Sequence, residues 1–173
     1  MNKRKNRQSG VSVIELMFAI ALLSIILGLA IPTFRETIQN NRLIAQNNEF
    51  VTALNYARSE ALRRAGSVTV CASGDGATCS GDTNWSTGWI VFADPNSDGT
   101  LTAPEAPLQV WPATGNGLTL NAGARPFIRY TSTGMSAFAE TFSLLKPGCT
   151  GNKARQVSVA RTGRISTTTV ACS

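Results

Sequence analysis

The sequence predicts an α+β chain in which one long N-terminal helix packs, through its C-terminal half, on an antiparallel β-sheet domain. Three observations lead there. A 21-residue apolar run, Val11 to Ile31, is broken only by Ser12, Glu15, Ser24 and Gly28. Apolar residues then recur at helical spacing as far as Ala61. After Gly66 the pattern changes to short β-prone runs divided by Gly, Asn, Asp, Pro and Ser, the alternation of strands and turns. The expected divisions are residues 1–10 as a basic leader, 11–31 as an apolar helix, 32–66 as its amphipathic continuation and 67–173 as a β-rich domain.

A helix of roughly 20 apolar residues spans a bilayer, so the first run reads as membrane-spanning. Lys3, Arg4, Lys5 and Arg7 precede it with no acid among them. The positive-inside rule therefore keeps the N-terminus cytoplasmic and sends the rest outside. An ordinary secretory signal would have an apolar core of roughly 7–15 residues followed by an A-x-A-like cut. Here the run is longer, and Pro32 leads into more helical sequence. Glu15 is the residue that anchoring does not explain, because a carboxylate within a membrane helix is costly unless it has a partner. A cation supplied by a neighbouring chain would remove that cost.

The helical pattern continues through Leu43, Phe50, Leu54, Ala57 and Ala61, at spacings of seven, four, three and four, which is one helix face. Arg42, Asn48, Glu49, Asn55, Ser59 and Arg63 occupy the other. Gly66 is the expected stop, with Arg63 and Arg64 at the negative end of the helix dipole. Strands are expected near Ser67–Ala72, Gly88–Ala93, Leu108–Trp111, Phe127–Tyr130, Thr141–Leu145, Gln156–Ala160 and Arg164–Thr168, with Ser73–Ser86 and Ala113–Ala124 as long loops.

Composition narrows the chemistry. The 173 residues suit one domain plus an appendage and contain no histidine, which removes the usual general base and the commonest metal ligand. No nucleophile motif or phosphate-cradling glycine loop is present either, so the chain does not read as an enzyme. Cys71, Cys79, Cys149 and Cys172 are an even set at wide spacings, candidates for two disulfides in an oxidising compartment. Four cysteines allow three pairings; Cys71 with Cys79 would close a short loop, and Cys149 with Cys172 would tie down the C-terminal tail.

The net charge of +6 is unevenly distributed. Residues 66–124 hold five acids and no base, whereas residues 125–173 hold seven bases and one acid, Glu140. The basic third can meet an acidic partner, the acidic stretch of a neighbouring copy included, or the phosphates of nucleic acid.

Within the acidic stretch, Asp94, Asn96, Asp98, Thr100 and Glu105 fit the D-x-[DN]-x-[DN]-G-x5-E loop. Oxygen ligands in that order surround calcium in an EF-hand. The preceding run reads as a strand and Pro104 disfavours an exit helix. A plain β-turn also uses Asp, Asn and Gly, so both a calcium loop and a turn stand as readings.

Gly10-Val11-Ser12-Val13-Ile14-Glu15-Leu16, with Pro32 at the twenty-second position after Gly10, closely resembles the prepilin signature of type IV pilins and type II secretion pseudopilins. Val11 stands where that family more often has phenylalanine or methionine. Tyr56-Ala57-Arg58-Ser59-Glu60-Ala61, Gly88-Trp89-Ile90-Val91-Phe92-Ala93-Asp94 and Gly163-Arg164-Ile165 resemble the GspH/FimT family, which includes minor pilins of the FimU/FimT type and the pseudopilin GspH.

The resemblance implies the type IV pilin fold. It implies cleavage between Gly10 and Val11 by prepilin peptidase, N-methylation of Val11, and a subunit-assembly role for Glu15. It implies a protein first held in the inner membrane with its N-terminus cytoplasmic, then built into a periplasmic or extracellular pilus. Its partners would be major and minor pilins and an inner-membrane assembly platform, and its role that of a minor pilin supporting pilus assembly and twitching. Some FimT-type pilins capture DNA through basic residues around a C-terminal Gly-Arg-x-Arg motif. Here the second arginine is replaced by Ser166, and Arg155, Arg161 and Arg164 are the candidate DNA-binding residues. A pseudopilin of type II secretion is the further alternative.

Overall fold

A computed structural model describes residues 11–115 and 117–172, with the backbone alone for residues 29–33 and 35. The expected leader, residues 1–10, and with it Gly10 of the expected cleavage site, lie outside the described residues. Helix α1 (Val13–Arg64) is followed by eight strands: β1 (Val68–Ala72), β2 (Trp89–Ala93), β3 (Pro107–Trp111), β4 (Thr119–Ala122), β5 (Phe127–Tyr130), β6 (Glu140–Leu145), β7 (Ala154–Val159) and β8 (Ile165–Val170). They form two antiparallel four-stranded sheets, ordered β3-β2-β1-β5 and β4-β6-β7-β8. The architecture is the expected α+β. The chain divides into two compact units, one ending at Gln39 and one beginning at Asn40.

The second unit is built on one stripe of α1. Leu43, Phe50, Ala53, Leu54, Ala57 and Ala61 are buried, a spacing that keeps one helix face turned inward. The first sheet covers that face with Val68, Val70, Ala72, Trp89, Val91, Ile128 and Tyr130; the second covers it with Leu120, Ala122, Phe142, Leu144, Val157 and Val159. Each fully buried large apolar side chain stabilises the fold by about 1.5–3 kcal/mol. The first sheet is buried on its other face too. Cys71, Ile90 and Phe92 form a second cluster there with Cys79, Leu101 and Phe127, so β1 is buried at every residue and is apolar except for Thr69, as a strand covered on both faces should be.

Two expectations need correction. Residues 113–124 are not one long loop: Thr119–Ala122 forms β4, paired with β6 from Thr119 opposite Leu145 to Ala122 opposite Phe142. The run is only four residues long and sits between Gly117 and Gly123, yet Leu118, Leu120 and Ala122 alternate into the core, which is the period of a strand. The helix stop also lies one residue earlier than Gly66. Ala65 takes the left-handed conformation (φ 50°); its N–H donates to the Leu62 carbonyl at 3.3 Å, and the Gly66 N–H donates to the Ala61 carbonyl at 3.2 Å. This is a Schellman closure with alanine where glycine fits without strain.

Left-handed geometry costs an L-residue roughly 1–2 kcal/mol. Ala65→Gly is therefore expected to raise stability by about 1 kcal/mol, read as a rise of about 2–4 °C in Tm for a chain of this size. Thermal unfolding followed by circular dichroism checks it.

Candidate functional site

The first unit carries the part of the chain without a core of its own. Val13, Ile14, Leu16, Met17, Phe18, Ile20, Leu22, Leu23, Ile25 and Ile26 all lie on α1 and all are more than half exposed, Val13 reaching 76% and Phe18 66%. Exposed large apolar residues occur on every side of the helix, so this segment is not amphipathic and has to be covered by lipid or by other apolar helices. Ser24, the polar residue midway, turns its hydroxyl back to donate to the Ala21 carbonyl at 2.7 Å, leaving no outward donor. Glu15 occupies the first helical turn and is exposed among apolar neighbours. There it lies at the positive end of the helix dipole, which favours an anion. Among the described residues no helix is long and apolar enough to cross a membrane; the membrane span expected from Val11–Ile31 is taken up below as part of a proposal.

The motif residues of the second unit come together around the helix end. Arg58, half-buried, donates from Nε to the Gly134 carbonyl at 2.9 Å and from Nη2 to the Thr162 carbonyl at 3.4 Å. Gly163 (φ 76°) sits against the same carbonyl, close enough that an added Cβ would collide with Gly134 O. Ser136 N–H donates to the Arg161 carbonyl at 2.9 Å, closing the junction. One guanidinium thus ties α1, the 131–136 turn and the β7–β8 turn into one contact, and a hydrogen bond from a charged donor of this kind is worth about 1.5–3 kcal/mol. Sequence reasoning singled out Arg58 and Gly163 as family marks and did not see that they meet.

Two residues on, Glu60 is only 8% exposed and accepts from Arg63 and Arg64. Arg63 Nη2 lies 2.6 Å and Arg64 Nε 2.7 Å from Oε2, and Arg63 Nε lies 2.9 Å from Oε1. The hydrogen bonds from Arg63 and then Arg64 outweigh burial and bring its pKa down to about 2.

The Gly88–Asp94 motif is likewise structural. Gly88 (φ 113°) passes so close to the carbonyls of Trp111 and Ser73 that no side chain fits. Trp89 is fully buried. Asp94 is buried and accepts from Thr69 Oγ1 at 2.6 Å, Gly99 N at 3.1 Å and Asp98 N at 3.1 Å. The remaining residues of the candidate calcium loop are turned to the same use. Asp98 Oδ1 accepts from Thr100 N and Oγ1, both at 2.8 Å, and Asn96 Nδ2 donates to Asp98 Oδ2 at 2.8 Å. Glu105 accepts from Thr102 N at 3.0 Å. The Thr100 donors hold the Asp98 carboxyl below the usual range. Among the described residues no group of three or more His, Cys, Asp or Glu side chains is placed to hold a metal ion. The loop is a hydrogen-bonded turn, and Gly99 lets it lie on the Phe127 ring.

Cys71 joins Cys79 and Cys149 joins Cys172, with Cα–Cα distances of 5.6 and 5.8 Å. Each closes a loop in the unfolded chain, a constraint typically worth about 2–4 kcal/mol. The first holds the 73–79 loop against the second apolar cluster, to which both its cysteines belong; the second ties the tail beyond β8 to the 146–151 turn, where Cys172 N–H also reaches the Gly151 carbonyl at 2.9 Å.

The candidate DNA-binding arginines do not converge. Arg161 and Arg164 are exposed at the β7–β8 turn. Arg155 stands at the far end of β7, opposite Thr169, and donates to Thr169 Oγ1 at 2.9 Å and Asn40 Oδ1 at 3.3 Å. Other members of the basic third are occupied by packing: Arg125 lies 4.3 Å from the centroid of the Phe138 ring, and Arg129 Nη1 donates to the Ser97 carbonyl.

A helix apolar on every side, continuing as the packing ridge of a two-sheet domain, defines the class of type IV pilin-like proteins. A family model described as type II transport protein GspH matches residues 46–163, and one described as the prokaryotic N-terminal methylation motif matches residues 5–31. The chain belongs to the GspH family, in its GspH/FimT branch of minor pilins and pseudopilins. Two crystal structures of the Pseudomonas aeruginosa (strain PAO1) type IV minor pilin FimU share the fold. The form in space group P21 matches with a TM-score of 0.60 and 24% identity over 74% of this chain and 89% of that one. The form in P65 gives 0.52 and 25% over 70% and 88%. A comparison with curated proteins finds no match.

The Glu60 geometry sets a pH dependence. A carboxylate whose folded pKa is depressed stabilises the fold fully above its unfolded pKa, near 4.5, and loses that contribution as pH falls through the folded value of about 2. Stability is expected to fall between these two pH values, and less steeply in Glu60→Gln. Urea unfolding of both proteins at several pH values measures the difference.

Proposed function

We propose that the protein is a minor type IV pilin, a filament subunit that acts by polymerising. Val11 becomes the N-terminus after cleavage at Gly10 and is methylated by prepilin peptidase. The apolar helix first holds the subunit in the inner membrane, N-terminus cytoplasmic, and then packs among the helices of major and minor pilins on the assembly platform. The observation that carries this reading is the exposed apolar segment of α1 with Glu15 in its first turn. Transfer from lipid to a bundle of like helices keeps that surface out of water throughout, and pairing Glu15 with the amino group of a neighbouring Val11 removes the one charge that would oppose it. Likeness to the type IV minor pilin FimU supports the minor role; a place at the tip or initiation complex and support of twitching are part of the same proposal. No catalytic step is involved.

Two other readings have an observation each. The description of the matching family favours a type II secretion pseudopilin, which shares the same assembly physics. The exposed Arg161 and Arg164 at one turn favour DNA capture during transformation, an attraction that weakens steeply with salt. Loss of twitching on deletion, with secretion and transformation intact, selects the pilin.

The expected result for the native protein is a mass beginning at Val11 with one added methyl group. Glu15→Ala is expected to lower incorporation into sheared filaments by about tenfold or more, the equivalent of about 1.4 kcal/mol of lost pairing, while both disulfides and the β domain form normally. An unprocessed leader, or wild-type incorporation of the variant, would overturn the reading. The reading calls for no calcium; the Asp94 and Asp98 oxygens accept hydrogen bonds that shape the loop as a turn. Calorimetry of the purified protein against millimolar calcium is expected to show no binding heat.

A further inference from the structure

Two four-stranded sheets have four edges, of which two are covered by paired segments and a third is blunted. On β4, an isolated bridge pairs Asn84 with Asn121, Trp85 N–H donates to Leu120 O and Ala122 N–H donates to Thr83 O, both at 2.8 Å. On β5, Ser136 bridges Tyr130, and Ala137 N–H donates to Arg129 O at 2.9 Å. The β3 edge begins with Pro107, which has no N–H, and its pairing with β2 is broken by a bulge at Val91 and Phe92. These are the usual means of blunting a sheet edge.

The β8 edge has none of them. Its six residues, Ile165-Ser166-Thr167-Thr168-Thr169-Val170, contain no charge, proline or glycine. They pair with β7 in unbroken register from Ile165 opposite Val159 to Val170 opposite Ala154. Ser166 to Thr169 are exposed. Among the described residues no backbone group bonds its outer side. The direction of its free groups follows from the turn. Ala160 N–H donates to Arg164 O at 2.9 Å, so Ser158/Ser166, Gln156/Thr168 and Ala154/Val170 are the pairs bonded to each other in an antiparallel ladder. The N–H and C=O groups of Ile165, Thr167 and Thr169 therefore point away from β7, at the spacing a further strand requires.

We propose that the β8 edge is a strand-addition site, and that its occupant is an extended segment of a neighbouring filament subunit of a different kind, antiparallel to β8, with a carboxylate abreast of Arg164. The main chain supplies affinity in this mode of recognition and side chains supply selection. Selection here comes from two features. The six-residue uncharged edge accepts a partner strand that is β-branched or hydroxyl-bearing and uncharged along its middle, because cross-strand Thr pairs are favourable. At its start Arg161 and Arg164 are exposed, and among the described residues neither has an ion-pair partner. A second copy of the chain is disfavoured. Pairing β8 with β8 would leave Arg164 without a carboxylate side chain, since β8 and the residues flanking it hold none. The proposal rests on the filament reading above for its occupant.

The test uses the full chain in filaments assembled by its own bacterium. The photo-crosslinking residue p-benzoylphenylalanine replaces Thr168 in one strain, Gln109 on the β3 edge in a second and Phe18 in the apolar helix in a third, and linked peptides are identified by mass spectrometry. The expected result is a Thr168 link to an acid-bearing, extended segment of another pilin-like subunit, with no such link from Gln109. Thr167→Pro removes an outward N–H and no β7–β8 ladder bond. It is expected to lower the Thr168 link by about tenfold, the loss of one edge hydrogen bond and its fit, with Tm and both disulfides little changed. Should proline disturb the fold, Thr167→Lys, which places a charge on the edge, serves in its place. A link from Phe18 but none from Thr168, a Thr168 link to another copy of the same chain, or an undiminished link in folded Thr167 variants would overturn the proposal and leave the filament reading standing. No link from either Phe18 or Thr168 would overturn both.

Discussion

Both sheets owe their placement to the buried ridge of α1, because neither covers its inner face without it. Phe50 is where the two meet. Its ring makes edge-to-face contacts with Trp85 at 5.7 Å, Trp89 at 5.2 Å and Phe142 at 4.8 Å, residues drawn from the loop before β2, from β2 itself and from β6. Such pairs add about 0.5–1.5 kcal/mol each beyond the area they bury. Alanine at positions 53, 57 and 61 does the complementary work, letting the strands approach the helix closely on either side of that ring. The helix is thus a shared wall.

That constraint explains which parts of the fold were legible in the sequence. The ridge was, since Leu43, Phe50, Leu54, Ala57 and Ala61 repeat at the helical period and all are buried. Most strands were, because β-branched and aromatic runs stand between clear turn residues. What was missed depended on contacts made across the chain. Strand β4 is four residues long, too short for the alternation of Leu118, Leu120 and Ala122 to stand out between two glycines, and its pairing with β6 establishes it. The left-handed residue falls on Ala65 because the Leu62 and Ala61 carbonyls set the closure, whereas composition favoured Gly66.

The candidate sites show the same limit in a sharper form. A residue type says which chemistry is available, and its neighbours decide whether that chemistry is spent. Asp94, Asp98 and Glu105 have the spacing of cation ligands, and nearby N–H and hydroxyl groups bond to their oxygens and fold the segment into a turn. Arg155 has the charge to meet a phosphate but is drawn to Thr169 and Asn40. Arg58 and Gly163 lie 105 positions apart in the numbering, so no local pattern could reveal that one carbonyl, that of Gly134, joins them.

Chain-specific recognition then has to reside in what this scaffold leaves unspent. The family motifs Tyr56–Ala61, Gly88–Asp94 and Gly163–Ile165 are used chiefly in closing the domain. The apolar helix is nearly featureless, with Glu15 as its one acid before Pro32, and any subunit built on the same plan could pack against it. A surface of that kind enforces assembly but discriminates poorly, since apolar burial has no direction. Discrimination needs directional groups held on a rigid support. The β-domain supplies rigidity through its ridge and its two disulfides, so differences between subunits of one filament are most economically carried on strand edges and turns at its rim, where a change in sequence leaves the shared core untouched.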